Sequence, residues 1–178
     1  IAHKVKSVVN ISTDKAVNPV NLYGATKLCA EKLFTAANAY NKTRFISVRY
    51  GNVMGSRGSI IPFLKDLKMQ GKTEVPLTHP DMTRFWITLD QAVSLILFAL
   101  SDVKRGHIYV PKLSASKITD LARSIIPDCT FKDIGIRAGE KINEILVDEN
   151  ETNVTMYNVM SEKETELVRP YRSNLCLT

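Results

Sequence analysis

Cysteines, long apolar runs and basic clusters are all scarce in this sequence of 178 residues. Its three cysteines, Cys29, Cys129 and Cys176, are far apart and form no Cys-x-x-Cys pair. This spacing argues against a zinc site and favours a reducing compartment, so we expect a cytoplasmic protein without a metal. No apolar run approaches the roughly 20 residues that span a bilayer. The longest, Ala92 to Leu100, predicts a buried helix, and we expect no membrane partner.

Positive charge is in excess but is not concentrated anywhere. Lysine and arginine total 24 against 18 acidic residues, which gives a net charge of +6. There is no basic run of five or more, so we expect no nucleic-acid partner. Because arginines also bind phosphorylated ligands, the excess has another explanation.

Strand and helix patterns alternate in the first third of the chain. Residues 7–12 and 45–50 are short apolar runs typical of buried parallel strands. Between them, apolar residues recur at three- and four-residue steps along one helix face. These residues are Leu22, Ala25, Cys29, Leu33, Ala36 and Tyr40. A strand, a helix and a second strand in this order predict a right-handed crossover unit of an α/β fold.

The second half has a more mixed pattern. We predict helices at 60–70 and 117–126, and a third that begins with a capping box at Thr88 to Gln91. Strands are predicted at 107–110, 131–136 and 153–159. Polar segments 13–21 and 51–59 each follow a predicted strand, where ligands bind in open parallel sheets.

A glycine-rich turn is missing. Dinucleotide-binding folds open with a strand and a Gly-x-Gly-x-x-Gly turn, and no such pattern occurs here. We therefore expect the chain to be the C-terminal part of a Rossmann-like doubly wound parallel sheet plus a small mixed α/β substrate-binding region. Residues 1–58 would carry the remaining sheet and the catalytic residues, and residues 59–178 mainly the substrate region, with some return to the sheet domain. We expect such a fragment to be inactive by itself.

Tyr23 and Lys27 are four residues apart on a predicted helix and so share a face. An ammonium beside a phenol favours the phenolate, which serves as a general base for alcohol oxidation. This spacing alone is weak evidence, because it arises often by chance on exposed helices.

The surrounding motifs are more specific. Ser12-Thr13-Asp14-Lys15 precedes the Tyr23-x-x-x-Lys27 pair, and the segments 49–59, 82–88 and 135–141 also carry motifs. Together they resemble the extended short-chain dehydrogenase/reductase superfamily, and within it the inverting UDP-N-acetylglucosamine 4,6-dehydratases of bacterial surface-sugar synthesis. The resemblance runs from about Val8 to Val147. The run Arg137-Ala138-Gly139-Glu140 departs from the usual Arg-Pro-Gly-Glu, which should loosen that turn.

The resemblance implies a role for each catalytic residue. Tyr23 would take the proton of the sugar C4 hydroxyl, Lys27 would favour the phenolate and hold the cofactor ribose, and Thr13 would hydrogen-bond the C4 oxygen. Asp14 would be the acid at C6 and Lys15 the acid/base at C5.

It also implies two sets of binding residues. The cofactor, NADP with NAD as the alternative, would contact Tyr23, Lys27, Tyr50, Asn52 and Val53. The UDP-N-acetylglucosamine substrate, or a similar nucleotide-sugar, would contact Asn52, Arg57, Ser59, Arg84, Arg137 and Glu140. The full-length protein is expected to be a homo-oligomer.

Two other functions stay open. A nucleotide-sugar 4-epimerase of the same superfamily shares the tyrosine and lysine but needs no group for elimination at C6, so Asp14 and Lys15 argue against it. The other alternative is an inactive truncated binding module, which the missing glycine-rich turn favours.

Overall fold

The structure, a computed structural model, describes residues 1–102 and 104–158. Over these residues the helices are α1 (Leu22–Ala37), α2 (Ile60–Met69), α3 (Leu89–Ser101) and α4 (Ile118–Ile125). The strands are β1 (Ser7–Thr13), β2 (Arg44–Tyr50), β3 (Asn52–Val53), β4 (Glu74–Leu77), β5 (Thr83–Ile87), β6 (Ile108–Pro111), β7 (Ala115–Lys117), β8 (Thr130–Asp133) and β9 (Val154–Tyr157). A short 3-10 helix, Asp14–Ala16, follows β1, and another, Asn38–Tyr40, follows α1. None of the described helices is long and apolar enough to cross a membrane.

The main sheet has the strand order β1-β2-β6-β9, and all its strands are parallel. Two smaller sheets, β3-β5-β7 and the parallel pair β4-β8, form a mixed region beside it. This arrangement confirms the predicted α/β class. The predicted boundary after residue 58 stays a prediction, and β6 and β9 return to the main sheet from beyond it.

Helices cover both faces of the main sheet. Side chains alternate along β2, so Ile46 and Val48 pack against Leu95 and Ala99 of α3. Arg49, the residue after Val48, points to the other face, where it meets α1. A separate apolar core lies between α2, α4 and the small sheets. Trp86 belongs to this core, and its ring nitrogen donates to the Ser116 hydroxyl at 2.8 Å.

The helix α1 is confirmed, but its predicted apolar face does not meet the sheet. Leu22, Leu33 and Tyr40 are 80%, 70% and 68% exposed. The fully buried positions are Gly24 and Glu31 instead. A polar contact under the helix, between Glu31 and Arg49, therefore decides which side of α1 is buried.

Other predictions are correct in type but not in extent. The capping box at Thr88 is present, yet α3 is buried on one face only, because Val93 and Leu97 remain exposed. The predicted strand 131–136 ends at Asp133, and the predicted strand 153–159 covers 154–157, with residue 159 outside the described residues. Strands β3, β4, β5 and β7 were not predicted, since they are short and lack long alternating patterns.

Arg49 is the most heavily bonded side chain of the sheet. It is fully buried and uses all five guanidinium N–H groups. Its Nε and Nη2 atoms donate to Glu31 at 2.9 and 2.6 Å, and its Nη1 and Nη2 atoms donate to Glu151 at 2.6 and 2.7 Å. The fifth donor reaches the carbonyl of Leu146 at 2.9 Å. One side chain thus joins β2, α1 and the segment before β9.

Replacing Arg49 by lysine should destabilise the fold by about 3–5 kcal/mol, because an ammonium with three donors leaves buried carboxylate oxygens unpaired. Urea unfolding followed by circular dichroism measures this. Lys132→Ala is the control. The Lys132 Nζ atom lies 3.7 Å from Glu74 Oε1, and both side chains are largely exposed, so this ion pair adds little stability. A loss below about 1 kcal/mol for Arg49→Lys would contradict the role of this network.

Glu151 should make stability depend on acid pH. Burial by itself raises the pKa of its carboxyl, but hydrogen bonds from Arg49 and from the Asp148 amide hold that pKa below its usual 4.5. A lowered pKa stabilises the folded chain above pH 4.5, and this contribution is lost as pH falls through the folded value. Glu151→Gln should therefore lower stability at pH 7 and flatten its dependence on pH below about 4.5. Unfolding curves between pH 3 and 7 test this, and an unchanged slope would refute it.

Candidate active site

Asp14 lies at the carboxyl end of β1, in the short 3-10 helix that Thr13 caps. Its side chain is fully buried. The Oδ1 atom accepts hydrogen bonds from the Thr13 hydroxyl at 2.9 Å and from Lys15 Nζ at 3.0 Å. The Oδ2 atom is buried without a hydrogen-bond partner among the described residues. Unsatisfied buried oxygens are costly and are typical of functional sites.

Lys15 connects the ends of two neighbouring strands. Its ammonium donates to Asp14 at 3.0 Å and to Asn52 Oδ1, just beyond β2, at 3.1 Å. The two polar segments therefore meet at the carboxyl edge of the sheet, where the sequence placed them. Asn52 is also among the residues predicted to bind cofactor and substrate, and here its side chain holds Lys15.

Tyr23 and Lys27 share a face of α1, as their spacing predicts. The Lys27 ammonium lies 5.9 Å from the centre of the Tyr23 ring and donates to the Ile11 carbonyl at 3.0 Å. The Tyr23 side chain is half exposed, so its phenol is open to a ligand. Burial first, and then the charge of Tyr23, raise the pKa of the nearby Tyr50 phenol above its ordinary value. Tyr50 is therefore a neutral hydrogen-bonding group rather than a second base.

Two residues at the start of α1, Asn21 and Gly24, hold the helix against residues 13–21, which we call the catalytic segment. The side chain of Asn21 caps α1 by accepting the Gly24 amide at 2.8 Å. A Cβ atom at Gly24 would lie 2.2 Å from the Lys15 carbonyl oxygen and 3.0 Å from Pro19 Cβ. Only glycine permits this approach of the first turn of α1, which carries Tyr23, to the backbone of Lys15.

The residues predicted to bind substrate have different surroundings. Ser59 begins α2, and its hydroxyl is buried without a partner among the described residues, as is one carboxylate oxygen of Glu140. Arg84 donates to the carbonyls of Thr83, Lys141 and Ile142, so several of its N–H groups are already used in hydrogen bonds to the backbone. Arg57 and Arg137 are exposed in turns, and Val53 is half-buried in β3. The binding roles of these residues remain predictions.

Residues 139–151, which we call the strap, are held against the catalytic segment 13–21. Lys141 Nζ donates to the Val17 carbonyl at 2.6 Å, and Asn18 donates to Asp148 at 2.9 Å. Sequence reasoning missed these contacts, as it missed Arg49 and Glu31. Only Asn21 carried a usable signal, an asparagine directly before a helical pattern. Among the described residues, no group of histidine, cysteine and acidic side chains is placed to hold a metal ion.

Comparisons with known proteins agree with the motifs. A family model described as polysaccharide biosynthesis protein matches residues 1–164. The chain is 52% identical over 154 residues to UDP-N-acetylglucosamine 4,6-dehydratase (inverting) of Campylobacter jejuni subsp. jejuni serotype O:23/36 (strain 81-176), covering 85% of this chain and 46% of that protein. It is 38% identical over 200 residues to UDP-glucose 4-epimerase of Rickettsia canadensis (strain McKiel), covering 98% of this chain and 58% of that protein.

Solved structures share the fold. Pen from Bacillus thuringiensis superposes with a TM-score of 0.77 at 38% identity, over 83% of this chain and 49% of that one. The dTDP-glucose 4,6-dehydratase DesIV from Streptomyces venezuelae, with NAD and TYD bound, has a TM-score of 0.70 at 18% identity, over 79% of this chain and 51% of that one. The chain spans about half the length of the curated relatives it matches. These matches confirm the resemblance inferred from the motifs.

Gly24→Ala should destabilise the protein, although alanine normally gains about 1 kcal/mol over glycine inside a helix. The added Cβ would collide with the Lys15 carbonyl, and we expect a net loss of about 1–3 kcal/mol. Ala36→Gly, on the exposed side of α1, is the control and should lose about 1 kcal/mol from helix propensity alone. Urea unfolding compares the two, and a Gly24→Ala variant more stable than the parent would show that the approach is not tight.

Proposed function

The chain belongs to the polysaccharide biosynthesis protein family, and from this premise we propose that the protein is a nucleotide-sugar 4,6-dehydratase. Its substrate would be UDP-N-acetylglucosamine, and its product a 4-keto-6-deoxy sugar inverted at C5. One observation carries the proposal: Lys15 is hydrogen-bonded to both Asp14 and Asn52, on the segment that seats the helix of Tyr23 and Lys27. A site with this composition has one base for alcohol oxidation and two more groups for elimination.

The residues that would hold a nicotinamide cofactor suit its chemistry. Tyr23 offers a half-exposed hydroxyl, Lys27 an ammonium and Tyr50 a neutral phenol. Asn52 and Val53 follow β2 at the same edge. We propose NADP as the cofactor, with NAD as the alternative; when bound, its nicotinamide would supply reversible hydride transfer, from C4 in the oxidation and to C6 in the reduction.

Oxidation at C4 depends on the Tyr23 pair. Tyr23 removes the proton of the C4 hydroxyl, and the Lys27 ammonium offsets the charge of the phenolate. Thr13, whose hydroxyl donates to Asp14 Oδ1 in the structure, lies at the end of β1 and hydrogen-bonds the C4 oxygen of the substrate. The resulting ketone makes the neighbouring C5–H bond acidic.

Elimination and inversion depend on Asp14 and Lys15. For this step the proton that Lys15 Nζ donates to Asp14 Oδ1 across their 3.0 Å hydrogen bond is transferred to Asp14. Lys15 then takes the C5 proton, while Asp14 gives a proton to the departing C6 hydroxyl, which leaves as water. Asp14 suits this step because one carboxylate oxygen is anchored and the other has no hydrogen-bond partner among the described residues. After C6 receives hydride, a proton that derives from solvent is added to C5 on the opposite face.

The nucleotide part of the substrate would lie between the start of α2 and the strap. Ser59 and Glu140 offer buried oxygens there that have no hydrogen-bond partner in the described part of the chain. Arg57, Arg84 and Arg137 offer positive charge for the diphosphate. Asn52 would contact the sugar or the diphosphate while holding Lys15.

We also propose that the full-length protein is a cytoplasmic homo-oligomer. The exposed apolar side chains of Leu22 and Leu33 on α1, and of Tyr40 in the 3-10 helix that follows it, favour self-association.

A 4-epimerase is the second candidate, favoured by the similarity to the Rickettsia enzyme. An epimerase needs only oxidation and reduction at C4, so the Asp14–Lys15 pair would have no chemical task in it. The two reactions differ in their products.

The test is proton NMR of the product formed from UDP-N-acetylglucosamine and NADP in deuterated water by the full-length protein. We expect a 4-keto-6-deoxy sugar with deuterium at an inverted C5. Asp14→Asn and Lys15→Met should each lower kcat by about 10²–10⁴-fold, whereas Lys72→Met, on an exposed loop, should not change it. Hydrogen retained at C5, or a simple C4 epimer, would refute the dehydratase.

A further inference from the structure

We propose that Asn21 is a positioning residue that links a nucleotide bound at the turn 137–141 to the helix that carries Tyr23. This inference rests on the proposed function, because it takes the ligand of that turn to be a uridine nucleotide. Asn21 would not touch the reacting atoms. Its role would be to couple nucleotide binding at the turn to the alignment of α1, the helix that carries Tyr23.

The amide of Asn21 bonds in two directions at once. Its Oδ1 atom accepts the Gly24 amide at 2.8 Å and so caps α1. Its Nδ2 atom donates to the Gly139 carbonyl at 2.7 Å. Gly139 lies within the turn that the Glu140 amide closes on the Arg137 carbonyl at 3.1 Å. A single planar group therefore spans from the turn to the first turn of α1.

The contact between Asn21 and the turn is close as well as polar. Gly139 has a φ of +83°, and a Cβ atom there would lie 3.0 Å from Asn21 Cβ. Both the backbone conformation and the space favour glycine at this position. The next residue, Glu140, has a buried carboxylate oxygen without a partner among the described residues. A ligand that engages Glu140 acts one residue away from the Asn21 hydrogen bond.

A second contact supports the turn but does not reach the helix cap. Lys141 donates to the Val17 carbonyl at 2.6 Å and lies 3.6 Å from Glu144. Val17 precedes the cap by four positions, in the loop between the 3-10 helix and α1. Lys141 thus holds the turn near the catalytic segment. Asn21 connects the turn to the helix, because the Gly24 amide donates to its side chain and the Ala25 amide donates to its backbone carbonyl.

The side-chain chemistry allows the two bonds of Asn21 to be separated. Aspartate caps helices as well as asparagine does, but it has no donor for the Gly139 carbonyl. Asn21→Asp should therefore keep α1 and release the turn. Asn18→Asp is the charge-matched control, since it adds the same charge three residues away and lies at another contact of the strap. Asn21→Ser, a neutral capping residue, is the second variant.

The experiment measures UDP affinity by calorimetry and amide hydrogen exchange with and without UDP, in the parent protein and the three variants. In the parent, UDP should slow exchange at Glu140 and also at Gly24 and Ala25. In Asn21→Asp and Asn21→Ser, exchange at Glu140 without ligand should be faster, UDP should bind about five- to tenfold more weakly, as for one lost hydrogen bond, and protection at Gly24 and Ala25 should disappear. Asn18→Asp should keep that protection and bind UDP within about twofold of the parent.

Three results would overturn the inference: protection by UDP that stops at the turn in the parent, UDP binding and exchange in both Asn21 variants that equal the parent, or a loss of affinity in Asn18→Asp as large as in Asn21→Asp. Failure of the parent to bind UDP counts first against the proposed function. In that case the ligand-free comparison still decides the link, because unchanged exchange at Glu140 in the Asn21 variants contradicts it.

Discussion

The five hydrogen bonds of the Arg49 guanidinium hold the described fold together. A guanidinium buried without carboxylate partners would be prohibitively costly, so Glu31 and Glu151 must both reach it. Hydrogen bonds to these two carboxylates outweigh burial and keep the pKa of Arg49 above its ordinary value. The guanidinium therefore stays charged, and it connects α1 and the strap to the carboxyl end of β2.

The candidate active site is arranged around that anchor. Because α1 is drawn to β2 through Glu31, its first turn presses on the 3-10 helix that carries Asp14 and Lys15. Because the strap is drawn to the same guanidinium through Leu146 and Glu151, the turn that contains Glu140 is brought over the start of α1. The catalytic and nucleotide-binding parts of the proposed site thus share a single buried support.

Local patterns predicted much of this arrangement, and long-range polar contacts predicted little of it. The spacing of Tyr23 and Lys27 and the capping box at Thr88 depend on neighbours within four residues, so they could be read directly. The buried face of α1 was misjudged because hydrophobic periodicity ranks Leu33 as core and Glu31 as surface. A buried arginine reverses that ranking, and nothing in the local sequence of α1 signals its presence.

The sequence by itself determined the α/β class, the helix with its tyrosine and lysine, and the run of polar and ionisable residues at the end of β1. Each of these follows from helix and strand periods or from a motif of adjacent residues. Only the tertiary structure decided that Lys15 meets Asn52, that Arg49 joins Glu31 to Glu151, and that Asn21 holds Gly139. Those partners lie 37, 102 and 118 positions apart for Lys15–Asn52, Arg49–Glu151 and Asn21–Gly139. Contacts at such separations are set by how the sheet, the helices and the strap pack, since a local sequence pattern does not identify which distant residue will be in contact.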